Sequence, residues 1–194
     1  SLVSALYNMQ LLKLVGADGV AAYGVLMYVG FVFAAVFIGY AQGCAPIVSY
    51  HFGADNKDEL KNLLRKSAGI IAVAGVAMLA SSELLAGPLA KIFVGYDAGL
   101  LALTIHGMKL YSISFILSGF NIFGSAFFTA LNNGGVSAAI SFLRTLVFQS
   151  ASVLILPIFF DVDGIWWAIT VAEVFAFLIS VLFLLAKRGK YHYM

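Results

Sequence analysis

Long apolar stretches alternate with short polar turns along the whole chain. A helix needs about 20 predominantly apolar residues to cross a bilayer, and most of these stretches reach that length. The strict alternation of apolar and polar neighbours that marks transmembrane β-strands is missing from the sequence. The pattern therefore predicts an all-α integral membrane protein, a bundle of six transmembrane helices at about 1–15, 20–54, 58–82, 97–131, 136–160 and 165–186.

Two stretches are shorter than a spanning helix. Residues 84–95 contain Pro88 and are predicted to form a helix that lies on the membrane surface. The first stretch would reach only about 22 Å at 1.5 Å per residue, whereas the hydrocarbon core is about 30 Å thick. Because the chain also begins with Ser1 rather than Met, we expect it to be the C-terminal part of a longer polypeptide.

The composition supports a membrane protein. Apolar residues make up 62% of the chain, charged residues 10%, and the mean hydropathy is +1.01. A soluble domain is about 45–50% apolar and about 25% charged, so this chain could not cover its surface with polar atoms. A soluble protein, a disordered tail and a nucleic-acid binder are excluded. Cys44 is the single cysteine and cannot form an internal disulfide.

The basic residues predict the orientation. If residues 187–194 are cytoplasmic, seven Lys and Arg residues fall inside and three outside. This asymmetry agrees with the positive-inside rule and predicts a multi-pass protein of the cell (inner) membrane with a cytoplasmic C-terminus. Aromatic belts are expected at both interfaces, formed by Trp166 and Trp167 outside and by Tyr191 and Tyr193 inside.

Polar side chains inside the membrane must find a partner or a wet cavity. Serine, threonine and asparagine recur on one face of the fourth helix, at helical spacing, and again on the fifth. Small hydroxyl residues of this kind often serve only to pack helices together. Asn121 is bulkier and costlier to bury. The stripe comprises Ser114, Ser118, Asn121, Ser125, Thr129 and Asn132 on the fourth helix and Ser137, Ser141, Arg144 and Ser152 on the fifth.

Arg144 and Glu173 both lie about ten residues from a turn, on consecutive antiparallel helices, and hence near the bilayer midplane. A charge at that depth costs roughly 2.5–3.5 kcal/mol on insertion scales. Two interpretations stay open: a fixed ion pair that locks the two helices together, or a site on a water-filled path that responds to protons or substrate.

The second helix contains Gly39 and Gly43, a small-xxx-small packing face, followed by Pro46. Proline cannot donate its amide, so a kink that acts as a hinge is predicted there. Motifs of hydrolases, metalloenzymes and phosphate-binding loops are missing from the sequence. The sequence therefore predicts neither an enzyme nor a bound cofactor or metal.

Four motifs in order carry a family resemblance. The stretch 42–54 reads QGCAPIVSYHFGA and resembles the "Q-G-x-x-P-I-x-S-Y-x-x-G-A" stretch of multidrug and toxic compound extrusion (MATE) transporters. Residues 119–131 resemble the helix before the family's inner turn, residues 141–144 its "S-x-x-R" helix, and residues 164–173 the "G-I-W…A-E" of its last helix. The likeness runs from Gly19 to the C-terminus.

The resemblance implies one six-helix lobe of a twelve-helix transporter, with the N-terminal lobe of the same chain as its partner across a central cavity. It implies export of cationic, amphipathic compounds driven by inward H⁺ or Na⁺ flow, with membrane lipids around the bundle. The cavity candidates are Asn8, Gln42, Asn121, Ser125, Arg144 and Glu173, with Pro46 as the hinge.

The sequence departs from the sodium-coupled branch of that family. Where that branch has carboxylates on the first and fourth helices of this lobe, this chain has Asn8, Gln10 and Asn121. Glu173 is therefore expected to be the only membrane-buried acid of the lobe. The alternatives are a lipid-linked oligosaccharide flippase of related architecture, which predicts more cavity cations than Arg144 alone, and a non-transporting membrane scaffold.

Overall fold

The computed structural model describes residues 2–193, and these residues are almost entirely helical. The elements follow one another through short turns at the predicted polar breaks. They are α1 (Leu2–Leu14), α2 (Ala17–Gly53), α3 (Lys57–Val94), α4 (Ala98–Ser112), α5 (Phe115–Ala130), α6 (Gly134–Phe142), a π-helical segment (Leu143–Phe148) and α7 (Gln149–Tyr191).

The turns are closed by polar side chains. Asn56, Asp97 and Asn133 each cap the following helix by accepting a hydrogen bond from a backbone N–H of its first turn. The left-handed conformation at Asp55 and Asn132, with φ of 51° and 55°, reverses the chain just before two of these caps. Asp and Asn tolerate that conformation better than other residues with a side chain. The polar turns thus define where each helix begins.

Helix α7 consists of two antiparallel arms, residues 149–160 and 162–191. Asp161 has φ 47° and ψ −128°, outside the helical region, and reverses the chain. The arms pack closely beside the turn, because a Cβ on Gly164 would lie 2.5 Å from the backbone of Leu156. Further away, the rings of Phe148 and Phe175 lie 5.7 Å apart. The first arm continues α6 and the π-helical segment, so the region from Gly134 to Tyr191 forms two antiparallel helical legs.

Helices α2, α3 and the segment from Gly134 to Tyr191 are long and apolar enough to span a membrane. Helices α4 and α5 pass the same test only together, across a 49° bend. Helix α1 has 13 residues, about 20 Å, and is shorter than a hydrocarbon core. The all-helical membrane fold is as predicted, but the fourth predicted helix is broken at Ile113 and Ser114.

The predicted surface helix at 84–95 is wrong, because α3 continues to Val94 without interruption. Pro88 leaves one carbonyl of the preceding turn without a helical donor, which costs stability but need not end a helix. Ala86, Ala90 and Val94, four residues apart, are buried in the core and hold this part of the helix in place. With 38 residues, α3 is about 57 Å long and exceeds the membrane core.

Two connected apolar cores fill the bundle, and they bury aromatics that the sequence analysis assigned to the membrane interfaces. Trp166 is only 1% exposed and packs against Gly107, whereas Trp167 remains 36% exposed. Tyr191 and Tyr193 are buried as well, and the Tyr193 hydroxyl donates to the Leu184 carbonyl at 3.0 Å. The belt prediction is therefore wrong for these three residues, because glycine and the folded C-terminal end offer them space inside the bundle.

We predict that Gly107→Leu destabilises the bundle by about 1–3 kcal/mol, the usual cost of overpacking. A Cβ at this position would already lie 3.0 Å from the Trp166 ring. The measurement is the thermal unfolding midpoint in detergent. Gly69→Leu is the control, since nothing lies within 4 Å of its Cβ position; equal midpoints for the two variants would contradict the packing argument.

Candidate functional site

A groove of about 480 Å³ opens between α2, α5, α6 and the π-helical segment. The side formed by α2 is largely apolar, whereas α5, α6 and the π-helical segment contribute most of the polar groups. The lining residues are Phe31, Ala34, Ile38, Ala41, Gln42, Ala45, Asn121, Ile122, Ser125, Ala126, Thr129, Ser141 and Arg144.

The hydroxyl stripe joins α5 to α6. Ser125 Oγ lies 2.9 Å from Ser137 Oγ and 2.8 Å from Ser141 Oγ. The Thr129 hydroxyl donates to Ser137 Oγ at 2.7 Å. These bonds satisfy the hydroxyl groups between two helices, so this part of the stripe packs helices while its edge borders the groove.

Arg144 and Glu173 form an ion pair between the π-helical segment and the second arm of α7. The guanidinium donates through Nε and Nη2 to Glu173 Oε1 at 2.9 and 2.7 Å, and Nε also lies 3.0 Å from Oε2. This forked geometry is the strong arrangement for an arginine and a carboxylate. The Glu173 side chain is 1% exposed and the Arg144 side chain 21% exposed. Glu173 therefore lies behind Arg144, which borders the groove.

Asn121 extends the pair into a network of three helices or arms. Its amide donates to Glu173 Oε2 at 2.6 Å and to the Glu173 carbonyl at 3.0 Å. Its own oxygen accepts from the Ser180 hydroxyl at 3.1 Å. The carboxylate thus receives donors from two neighbours, and Asn121 is fully buried. Such a network compensates for much of the cost of burying a charge, and removing one member would leave the others unsatisfied.

The π-helical segment positions Arg144. A π turn inserts extra backbone into a helix and changes the direction in which the following side chains point, and such turns occur frequently at functional sites. The segment Leu143–Phe148 contains neither glycine nor proline. No sequence signal therefore indicated the irregularity.

The groove brings four of the six predicted cavity residues together: Gln42, Asn121, Ser125 and Arg144. Asn8 lines a separate concavity of about 370 Å³ with Tyr23 and Tyr28, and Phe31 borders both. Glu173 reaches the groove only through Arg144 and Asn121. Pro46 lies exposed inside α2, whose helix continues from Ala17 to Gly53. Its hinge role stays a prediction.

Two polar contacts were not predicted from the sequence, because their partners are far apart in the chain. Glu83 lies within α3 and accepts a hydrogen bond at 3.0 Å from Ser112, beside the break between α4 and α5. His106 Nε2 lies 2.7 Å from Asp163 Oδ1 and connects α4 to the turn between the arms of α7. Glu173 is therefore the fully buried acid, and Glu83 is a second, half-buried one.

Among residues 2–193, no group of His, Cys, Asp and Glu side chains lies close enough together to hold a metal ion. The charged side chains at the groove are Arg144, which borders it, and Glu173, which lies behind Arg144.

Comparison with known proteins places this arrangement in a family. The MatE family model matches residues 1–153, most of the chain. The chain therefore belongs to the MATE family, a family of membrane transporters and not of enzymes. No curated protein sequence matches it significantly.

Solved MATE structures share the fold. An outward-facing multidrug resistance MATE transporter of the MOP superfamily is 19% identical with a TM-score of 0.91, covering 100% of this chain and 44% of that one. The bent form of the Vibrio cholerae transporter VcmN gives 19% identity and a TM-score of 0.88, covering 98% and 44%.

A MOP superfamily transporter from Pyrococcus furiosus is similar at 19% identity and a TM-score of 0.90, covering 98% of this chain and 43% of that one. That transporter is described as having a binding pocket of reverse polarity. The chain thus spans less than half the length of the transporters that it matches, the extent of one lobe.

We predict that removing one partner of the Arg144–Glu173 pair costs about 3–5 kcal/mol, because it leaves an uncompensated buried charge. The double variant Arg144→Met/Glu173→Met should be more stable than Glu173→Met alone. The measurement is a double-mutant cycle of thermal unfolding midpoints in detergent.

The exposed pair of His106 and Asp163, changed to Gln and Asn, is the matched control, with an expected coupling of about 0–1 kcal/mol. Equal coupling in the two cycles would show that the buried pair is no stronger than a surface contact.

Proposed function

We propose that this chain forms one lobe of a secondary active transporter that exports cationic, amphipathic compounds in exchange for H⁺ or Na⁺. Its partner would be the N-terminal lobe of the same polypeptide, and the protein would lie in the cell (inner) membrane with its C-terminus cytoplasmic. The observation that carries the proposal is the buried carboxylate of Glu173, held one side chain behind a groove of about 480 Å³ in a chain of the MATE family.

The ion pair contains the carboxylate for which proton and substrate would compete, as antiport requires. While Glu173 is ionised, the Arg144 guanidinium and the Asn121 amide hold it. A cation that enters the groove can replace the guanidinium only if Arg144 moves toward the groove, where its side chain is already partly exposed. A proton on Glu173 removes the charge that holds either cation. Proton and substrate thus compete for one carboxylate, which makes their binding mutually exclusive.

The groove also suits an amphipathic ligand. Its α2 side presents Phe31, Ile38 and three alanines, whereas Gln42 and the α5 hydroxyl groups offer hydrogen bonds. Apolar and aromatic walls with few polar groups are typical of small-molecule sites, and an aromatic ring such as Phe31 can contact a cation through its face.

A second function is favoured by one observation. Arg144 is the charged residue that borders the groove, whereas the Glu173 carboxylate is buried. A groove edged by a guanidinium suits an anionic headgroup, as a lipid-linked oligosaccharide flippase would require. That function predicts that a fixed Arg144 binds substrate directly.

We predict that cells expressing the complete natural polypeptide exclude a fluorescent cationic dye, and that a protonophore or removal of sodium abolishes the exclusion. Glu173→Gln should reduce energy-dependent efflux at least about tenfold, since the exchangeable charge is lost. Glu83→Gln, a change to the other inward-lying acid, is the control and should retain efflux. Unchanged transport and pH dependence in Glu173→Gln would refute the coupling role.

The dye experiment also separates the two functions. Normal dye accumulation in cells where the polypeptide reaches the membrane would favour the flippase, for which Arg144→Gln should then reduce lipid-linked sugar translocation.

Filling the groove should block transport without unfolding the bundle. Ala45 lines the groove on α2, whereas Ile47 is exposed on the same helix and does not line it. We predict that Ala45→Trp lowers dye efflux at least about fivefold at unchanged thermal stability, because the indole occupies ligand space. Efflux is compared with Ile47→Trp at equal membrane levels. Similar efflux in the two variants would place the ligand elsewhere.

A further inference from the structure

A second, apolar crevice lies on the side of α5 opposite to the groove. Groove residues such as Asn121 and Ser125 occupy one face of α5, whereas Phe120, Phe123, Gly124 and Phe127 form the floor of the crevice. Its walls are Leu64 and Ala68 of α3 on one side and Phe177, Ser180, Val181 and Leu184 of α7 on the other. The crevice is therefore a site separate from the groove.

The crevice is apolar and lies between α3 and α7. Its volume is about 60 Å³, and the Ser180 hydroxyl that borders it already donates to Asn121. A cavity without free polar groups does not hold water. Leu64 and Ala68 on α3 and Phe177 and Val181 on α7 are only partly buried, so the crevice is open to the outside of the bundle between these two helices. The crevice is therefore suited to hydrocarbon, and its volume is large enough for a short part of one acyl chain.

Basic side chains flank one end of the crevice. On α3, Lys61 precedes Leu64 by three residues and Arg65 precedes Ala68 by three, which places both pairs on one helical stripe. On α7, Lys187 and Arg188 follow Leu184 by three and four residues and continue its stripe toward the same end. Within the described part of the chain, none of these four has a carboxylate within 4.0 Å.

The local charge balance at this end favours an anion. Seven Lys and Arg residues lie on the first three turns of α3 and the last two of α7, against the carboxylates of Asp55, Asp58 and Glu59. Asp55 pairs with Lys57 at 3.6 Å, and Glu59 accepts from Asn62 at 3.0 Å. The stripe beside the crevice keeps an excess of positive charge next to an apolar opening.

We propose that the crevice between α3, α5 and α7 and its four basic residues bind an anionic phospholipid, with an acyl chain against the Phe123 and Phe127 floor and the phosphate beside Lys61, Arg65, Lys187 and Arg188. Basic pockets between transmembrane helices bind anionic headgroups in this manner. The inference is independent of the transported substrate and of the coupling ion.

The test measures lipid retention by the complete natural polypeptide, using native mass spectrometry from detergent with added phosphatidylglycerol or phosphatidylcholine. Phosphatidylglycerol should be retained preferentially. Each basic residue near a membrane surface contributes about 1 kcal/mol, so Arg65→Gln/Lys187→Gln should weaken phosphatidylglycerol binding about 30-fold. Ala68→Phe, which fills the crevice and keeps all charges, should weaken it as well.

The control variant Lys66→Gln/Lys190→Gln removes the same charge from residues that lie off the two stripes, and it should change binding less than about threefold. Equal weakening of phosphatidylglycerol binding in both double variants would show that the effect arises from general surface charge, and it would overturn the proposal. Equal retention of phosphatidylcholine, or displacement of the lipid by inorganic phosphate alone, would also overturn it. Circular dichroism of every variant verifies that the helices are intact.

Discussion

The buried contact between Arg144 and Glu173 is the interaction on which the centre of the bundle depends. A carboxylate that is 1% exposed is tolerable in an apolar bundle only because a guanidinium and an amide are directed at it. To deliver these donors, the π-helical segment, α5 and the second arm of α7 must meet at one point. Formation of the ion pair and packing of these three segments therefore depend on each other. The groove lies next to the point where the segments meet.

This arrangement reconciles the two interpretations of the charged pair. A fixed ion pair and a responsive site are usually opposed, but here Glu173 is fully enclosed while Arg144 keeps a partly exposed side chain next to the groove. The pair therefore stabilises the lobe as it stands, and its guanidinium borders the groove in which we propose that a ligand binds. In the proposed transport cycle, this geometry would link occupancy of the groove to the charge on one carboxylate.

Many features of the fold could be predicted from the sequence, because they depend on local composition. Helix order, the polar turns and the position of Arg144 and Glu173 on neighbouring antiparallel segments follow from apolar lengths and spacing. The rest depends on contacts between distant segments: Ala86 and Ala90 keep α3 continuous past Pro88, Gly107 makes room for Trp166, and the bend between α4 and α5 packs against Gly75. The π-helical turn has no residue signature, so the final placement of Arg144 could not be predicted.

The most direct test of the account is infrared difference spectroscopy of the complete natural polypeptide across the pH range in which transport changes. If proton and substrate compete for Glu173, acidification should produce a protonated-carboxyl band that is lost in Glu173→Gln and retained in Glu83→Gln. A transported cation should suppress this band. A Glu173 carboxylate that stays ionised throughout that range, with or without the cation, would contradict the claim that proton and substrate compete for it.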